Sequence, residues 1–162
     1  MIYSKYILSA IFIYFITNSL HSQNKESNKD SVLVHNAIIK LFDGMREGDS
    51  AKVHSVFYDN VRMLTSFRLK TGESKLNEDS LPGFLQAVGN GHQEIWDERI
   101  SNTIIQIDGD LAQVWTDYSF FADRTFSHCG VDAFQLVKDK EGQWKIINLI
   151  DTRRKTGCEG AN

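Results

Sequence analysis

Apolar residues recur at Val34, Ala37, Ile38, Leu41, Phe42 and Met45, a spacing that gathers them on one stripe of a helix. Asp30 or Ser31 can cap its start, and Gly48 can end it. Asp49-Ser50 then caps a shorter helix carrying Ala51, Val53, Val56 and Phe57, broken at Asp59-Asn60. Val61–Phe67 reads as a strand. A third helix opens at Asp79-Ser80-Leu81-Pro82, where a proline in the first turn costs little because its missing N–H would be unpaired anyway. It runs through Phe84, Leu85 and Val88 and stops at Gly89-Asn90-Gly91.

Beyond that point the period changes from helical to alternating. Glu94–Ile107 interleaves apolar and polar positions, and Asp108-Gly109-Asp110 is a hairpin turn signal. Leu111–Ala122 comes next, rich in Val, Trp, Tyr and Phe. Phe126–Lys138 and Gln143–Arg153 form a second pair around a turn in which Gly142 suits a left-handed position. Three early helices and then strands, without βαβ alternation, predict an α+β domain with a curved antiparallel sheet.

The first residues obey another logic. Lys5 precedes the apolar run Tyr6–Ile16, and Thr17–Ser22 turns small and polar, the pattern of a secretory signal over 1–22, with cleavage after Ser22 preferred over cleavage after Ser19. An apolar run of about 11 residues is too short for a membrane span, which needs about 20. The expected organisation is a signal at 1–22, a polar leader at 23–31, one domain at 32–153 and a tail at 154–162, with the chain exported to a periplasmic or secreted location.

Export changes the reading of the two cysteines. In an oxidising compartment Cys129 and Cys158 can bridge, closing a loop of about 30 residues and stabilising the fold by around 3–4 kcal/mol; two unrelated thiols are the alternative. Charge matters less: 18 Lys+Arg against 21 Asp+Glu give a net −3, with both signs scattered. No basic face that would neutralise phosphates is visible, so no nucleic-acid partner is expected. HExxH, GxSxG, CxxC and glycine-rich phosphate-loop motifs do not occur. No metal or cofactor is therefore expected.

Several segments, taken in order, resemble one superfamily. The amphipathic opening helix, Arg46-Glu47-Gly48-Asp49 and Val56-Phe57-Tyr58-Asp59-Asn60 look like the start of a nuclear transport factor 2-like domain. Trp96–Ile100, Gly109-Asp110-Leu111-Ala112, Tyr118-Ser119-Phe120 and Gly142–Ile146 resemble its later strands. The similarity runs from about residue 32 to 153 and is strongest to the exported bacterial branch labelled SnoaL-like or putative lumazine-binding. It implies a cone-shaped barrel around a pocket, commonly paired as a homodimer. Because the superfamily holds isomerases, cyclases, dehydratases and transport factors, it implies no single chemistry.

Strand alternation sorts candidate site residues by face. With Lys140-Glu141-Gly142 as a three-residue loop, Phe134 lies opposite Asn148, Asp132 opposite Ile150 and Gly130 opposite Thr152. His128, Asp132, Asn148 and Thr152 then share the buried face of Phe134, Leu136, Trp144 and Ile146, as orienting groups in an apolar pocket do. A one-residue slip would turn them outward. His128 and Asp132, about 13 Å apart at ~3.3 Å per residue, can flank a ligand but not touch; their structural alternatives are a turn histidine and an aspartate satisfied by an arginine. Tyr118 offers a phenol on the inner face or serves as a core aromatic. Glu98 points inward with Trp96 and Ile100, or joins a salt-bridge ladder beside Arg99. Trp115 and Phe121 fall on the outer face, as a subunit contact would. Arg153-Arg154-Lys155 can hold an anion at the pocket mouth or form a solvated strand end.

Besides a dimeric partner-binding domain that would use the outer sheet face, two functions fit these residues. One is an exported module binding a small, partly aromatic or anionic molecule. The other is a proton-transfer enzyme of the isomerase, dehydratase or cyclase type, with Asp132 or His128 as base and Tyr118 stabilising an oxyanion.

Overall fold

The computed structural model describes residues 28–91 and 94–158; the predicted signal and residues 23–27 of the leader lie outside them. Helix α1 spans 28–47. It buries the predicted stripe, with Val34, Ile38, Leu41, Phe42 and Met45 in the core. The helix has already formed at 28, so Asp30 and Ser31 lie within it rather than at its cap. Asp30 is buried and accepts hydrogen bonds from Lys138 Nζ at 2.9 Å and Trp144 Nε1 at 3.3 Å, which fastens the helix to the last hairpin. Helix α2, Ser50–His54, is capped by Asp49, whose carboxylate accepts from the Lys52 amide.

Six strands form one sheet: β1 (Phe57–Arg68), β2 (Ser74–Asp79), β3 (Trp96–Asp108), β4 (Leu111–Ala122), β5 (Thr125–Lys138) and β6 (Trp144–Arg153). Their order is β2-β1-β6-β5-β4-β3. Neighbours are antiparallel except β1 and β6, which run parallel. The sheet is thus mixed rather than antiparallel, because β1 and β6 come from opposite ends of the domain and no hairpin joins them. It is also open rather than closed into a barrel, since β2 and β3 are its two edges. Helix α3, Leu81–Gly89, comes after β2 instead of joining an N-terminal group of helices; Ser80 caps it and Pro82 sits in its first turn. Strand β2 is exposed along its whole length, and β1 starts at Phe57, absorbing Asp59-Asn60 where its register against β6 shifts. Among the described residues no helix is long and apolar enough to cross a membrane.

The α1 stripe packs on β4, β5 and β6, with the Phe42 ring edge-on to Phe134 at 6.3 Å. Phe57 and Phe84 meet in the same way and join β1 to α3. On the outer face, Trp115 pairs with Ile104 and both are exposed. Phe121 is not available there: it is buried, beside Phe126 and beneath the Arg99 guanidinium, 4.3 Å from its ring centre.

Register in the last hairpin decides the site. Lys140-Glu141-Gly142 forms the expected turn, with Gly142 at φ 76° and the Asp139 amide donating to Gln143 O. Leu136 faces Ile146 as predicted, but Gln135 faces Asn148, Phe134 faces Leu149 and Asp132 faces Asp151. One extra residue on β6 makes a bulge, and every position beyond it changes face. The expected pairings of Phe134 with Asn148 and Asp132 with Ile150 are therefore corrected by one residue. Leu149, Asp151 and Arg153 take the inner face, while Asn148 and Thr152 take the other.

Past the bulge, β6 is held to β5 by two means. Cys129 and Arg154 exchange both backbone hydrogen bonds at 2.9 Å, and Cys129 is disulfide-bonded to Cys158 with Cα atoms 5.9 Å apart.

Candidate functional site

The inner face of the sheet, α1 and α3 enclose a cavity of about 370 Å³, within the range of small-molecule sites. Leu41, Phe42 and Met45 from α1, Phe84 and Ala87 from α3, and Met63, Leu64 and Leu149 from the sheet make its walls apolar. Each strand adds polar groups: Thr65 from β1, Asp79 from β2, Glu98 from β3, Tyr118 from β4, Asp132 from β5, and Asp151 and Arg153 from β6.

Asp151 is fully engaged. Its Oδ1 accepts from Thr65 Oγ1 at 2.5 Å, and its Oδ2 accepts from Tyr118 Oη at 3.1 Å and Arg153 Nη2 at 3.4 Å. The Tyr118 hydroxyl also reaches Thr152 O at 3.0 Å, so its single proton is already shared between two protein acceptors. Burial and then the Asp151 charge push the phenol pKa far up and keep it protonated. It holds the site together and has no proton left to offer an oxyanion.

This contact needs a glycine. At Thr152 the backbone leaves the ladder: the Val131 amide donates to Thr152 Oγ1 at 3.0 Å, and the Thr152 carbonyl leans over Gly130 toward Tyr118. A Cβ on residue 130 would lie 1.7 Å from that carbonyl oxygen and 2.7 Å from Tyr118 Cε1.

Asp132 is the opposite case to Asp151. It is 3% exposed, and its Oδ2 receives no hydrogen bond from any protein donor among the described residues. The carboxyl beside it is that of Glu98, and two carboxyls can bond only by sharing a proton. Burial, followed by the Glu98 charge, pushes the Asp132 pKa well up, so Asp132 holds the proton and donates it to Glu98. Glu98 is itself pushed to about 7 by burial and the Asp151 charge, with the bond from Asp132 pulling the other way. The pair can both donate and accept near neutrality.

The remaining predicted residues lie elsewhere. His128 is on the inner face, stacked on Phe120 at 4.9 Å with Ser127 Oγ 3.0 Å from its Nδ1, and does not line the cavity. Burial and the Arg153 charge lower its pKa to about 4, leaving it neutral at pH 7. Asn148 and Thr152 do not line the cavity either, because of the bulge. Of the three terminal cations only Arg153 reaches it; Arg154 is bound through its backbone to Cys129. Among the described residues no group of three or more His, Cys, Asp or Glu is arranged to hold a metal ion.

The sequence profile of the family described as putative lumazine-binding matches residues 29–150, which is most of the described domain. The chain belongs to this family. No curated protein matches it significantly. Among solved structures, it is similar to a nuclear transport factor 2-like protein of unknown function from Shewanella baltica, at 16% identity and TM-score 0.61, covering 79% of this chain and 96% of that one. A nuclear transport factor 2-like protein with a cystatin-like fold from Novosphingobium aromaticivorans gives 9% identity and TM-score 0.65, covering 86% and 93%. A putative ketosteroid isomerase from Shewanella frigidimarina gives 16% identity and TM-score 0.54, covering 74% and 94%. At these identities the likeness establishes the nuclear transport factor 2-like fold and leaves the chemistry to the site.

In this member of the family, sequence alternation did not assign Asp151 or Leu149 to the pocket. Both phases stay apolar there, with Ile147 and Leu149 on one and Ile146 and Ile150 on the other, so the residue pattern does not mark the inserted residue.

Proposed function

We propose that this domain binds a small, largely apolar molecule in the cavity, with a polar end of the ligand placed at Glu98 and Asp132. One observation carries this reading: a carboxyl that is almost wholly buried, with an oxygen no protein donor among the described residues reaches, belongs to the lining of a chamber whose helix side is apolar. Such a group costs stability unless a partner arrives. Native mass spectrometry of protein purified from its own cells tests it. The expected result is a mass excess lost on unfolding; bare polypeptide, together with no thermal shift from any small apolar ligand, would overturn it.

A second reading is proton transfer, favoured by Glu98 poised at about 7 beside a protonated acid. A fold neighbour named as a putative ketosteroid isomerase is consistent with it. It assigns Glu98 as base and Asp132 as donor, and leaves Tyr118 and His128 outside the chemistry. Turnover of a β,γ-unsaturated ketone, monitored by absorbance, is expected to vanish in Glu98→Gln if this reading holds.

We also propose export, supported by the Cys129–Cys158 bridge, and pairing of two copies through the outer face around Ile104 and Trp115. Trp115→Glu is expected to change folding stability by no more than about 0.5 kcal/mol while shifting the sedimentation coefficient from dimer to monomer. An unchanged coefficient removes that face from the assembly.

A further inference from the structure

We infer that the ligand of this cavity is an organic cation: a protonated amine on an apolar body, its ammonium seated between Asp132 and Glu98. The inference rests on the cavity being a small-molecule site and adds the charge of the molecule it takes.

The charge balance of the lining is one support. Four acids reach the cavity (Asp79, Glu98, Asp132 and Asp151) against one cation, Arg153. That guanidinium is turned to Asp151 at 3.4 Å and is half exposed; its charge also acts on Glu98 and Asp132, but the acids outnumber it. Helices α1 and α3 bring no charged group to the wall. The hydroxyls of Thr65 and Tyr118 in the lining both donate to Asp151. His128 stands off on Phe120.

The second support is independent of counting. Asp132 lines the cavity, and its buried Oδ2 has no donor among the described residues. An ammonium carries three donors and no acceptor, which is what two adjacent carboxyls can use. A carboxylate or phosphate ligand would meet like charge at the deep end. A neutral hydroxyl would supply one donor and leave the two acids still sharing a proton. With an ammonium between them both acids can ionise, and the shared proton leaves Asp132 for solvent. Since Glu98 titrates at about 7 in the empty site, binding tightens as pH rises from 6 to 8.

Calorimetry on the purified protein with three matched probes tests this: 2-phenylethylamine, 2-phenylethanol and 3-phenylpropanoate. The amine is expected to bind at least 10-fold tighter than the alcohol at pH 8, with a smaller advantage at pH 6. It should release up to one proton, read from buffers of different ionisation enthalpy. Asp132→Asn should remove the preference for the amine over the alcohol, with the melting temperature showing that the variant is folded. If the alcohol or the acid binds as tightly as the amine, the cation assignment fails and the pocket reading stands. If none of the three binds and no ligand is retained on purification, both fail.

Discussion

Two buried aspartates lie at opposite ends of the β5–β6 hairpin and behave as opposites. Asp30 sits near the turn, bonded by Lys138 and Trp144. Burial works against its ionised form, but those two bonds outweigh it and hold its pKa below the usual range. Asp132 sits beyond the bulge with an unmet oxygen and another acid for a neighbour, and its pKa goes up. Both residues are buried, so burial by itself does not decide the outcome; the neighbours do. One aspartate stabilises the fold, while the other is a standing cost to it, as groups kept for binding often are.

The comparison can be broken most severely by closing the Asp132 end. Gly130→Ala places a methyl against a backbone carbonyl, and is expected to cost about 4 kcal/mol or more in chemical denaturation. Removing the anchor at the other end should cost less: Asp30→Ala takes the acceptor from the buried Trp144 indole N–H and lowers stability by about 2 kcal/mol at pH 7. That contribution belongs to a group with a lowered folded pKa, so in the wild type it is present above the ordinary carboxyl value and fades as pH falls below it.

The sign reverses at the acid pair. Glu98 and Asp132 bind protons more tightly folded than unfolded, so they favour folding at low pH, and the Glu98 part of that benefit is lost as pH rises through about 7. Wild-type protein without ligand should therefore melt lower at pH 8 than at pH 5.5. Asp132→Asn keeps a donor beside Glu98 at every pH, and is expected to raise stability at pH 8 by about 1 kcal/mol with little change at pH 5.5. A variant equally destabilised at both pH values would make Asp132 a structural aspartate like Asp30.

Legibility in the sequence tracked the range of the interactions. The α1 stripe, the Ser80-Leu81-Pro82 cap, the turn at Gly142 and strand β4 are fixed by neighbours a few residues away, and the residue pattern displays them. The parallel β1–β6 pair is not local, so nothing in either segment announced its partner. Strand β2, Ser-Lys-Leu-Asn-Glu-Asp, is exposed on both sides and shows no alternation. In the site, Glu98 and Asp132 could be found because β3 and β5 keep phase up to them. Asn148 and Thr152 were misplaced by the one residue added at the β6 bulge, and the same residue concealed Asp151.

That bulge acts as a reading frame for the cavity. Upstream of it β6 contributes Trp144 and Ile146 to the inside in either phase, so the core is indifferent to the phase of the strand's second half. Downstream, the two phases spell different chambers: Leu149, Asp151 and Arg153 in one, Asn148, Ile150 and Thr152 in the other. The first is charged and coupled through Asp151 to Thr65 and Tyr118; the second would be neutral. Straightening the bulge with every residue kept would thus exchange the ionic vocabulary of the site wholesale, whereas deleting Ile147 would remove the bulge and keep Leu149, Asp151 and Arg153 inside.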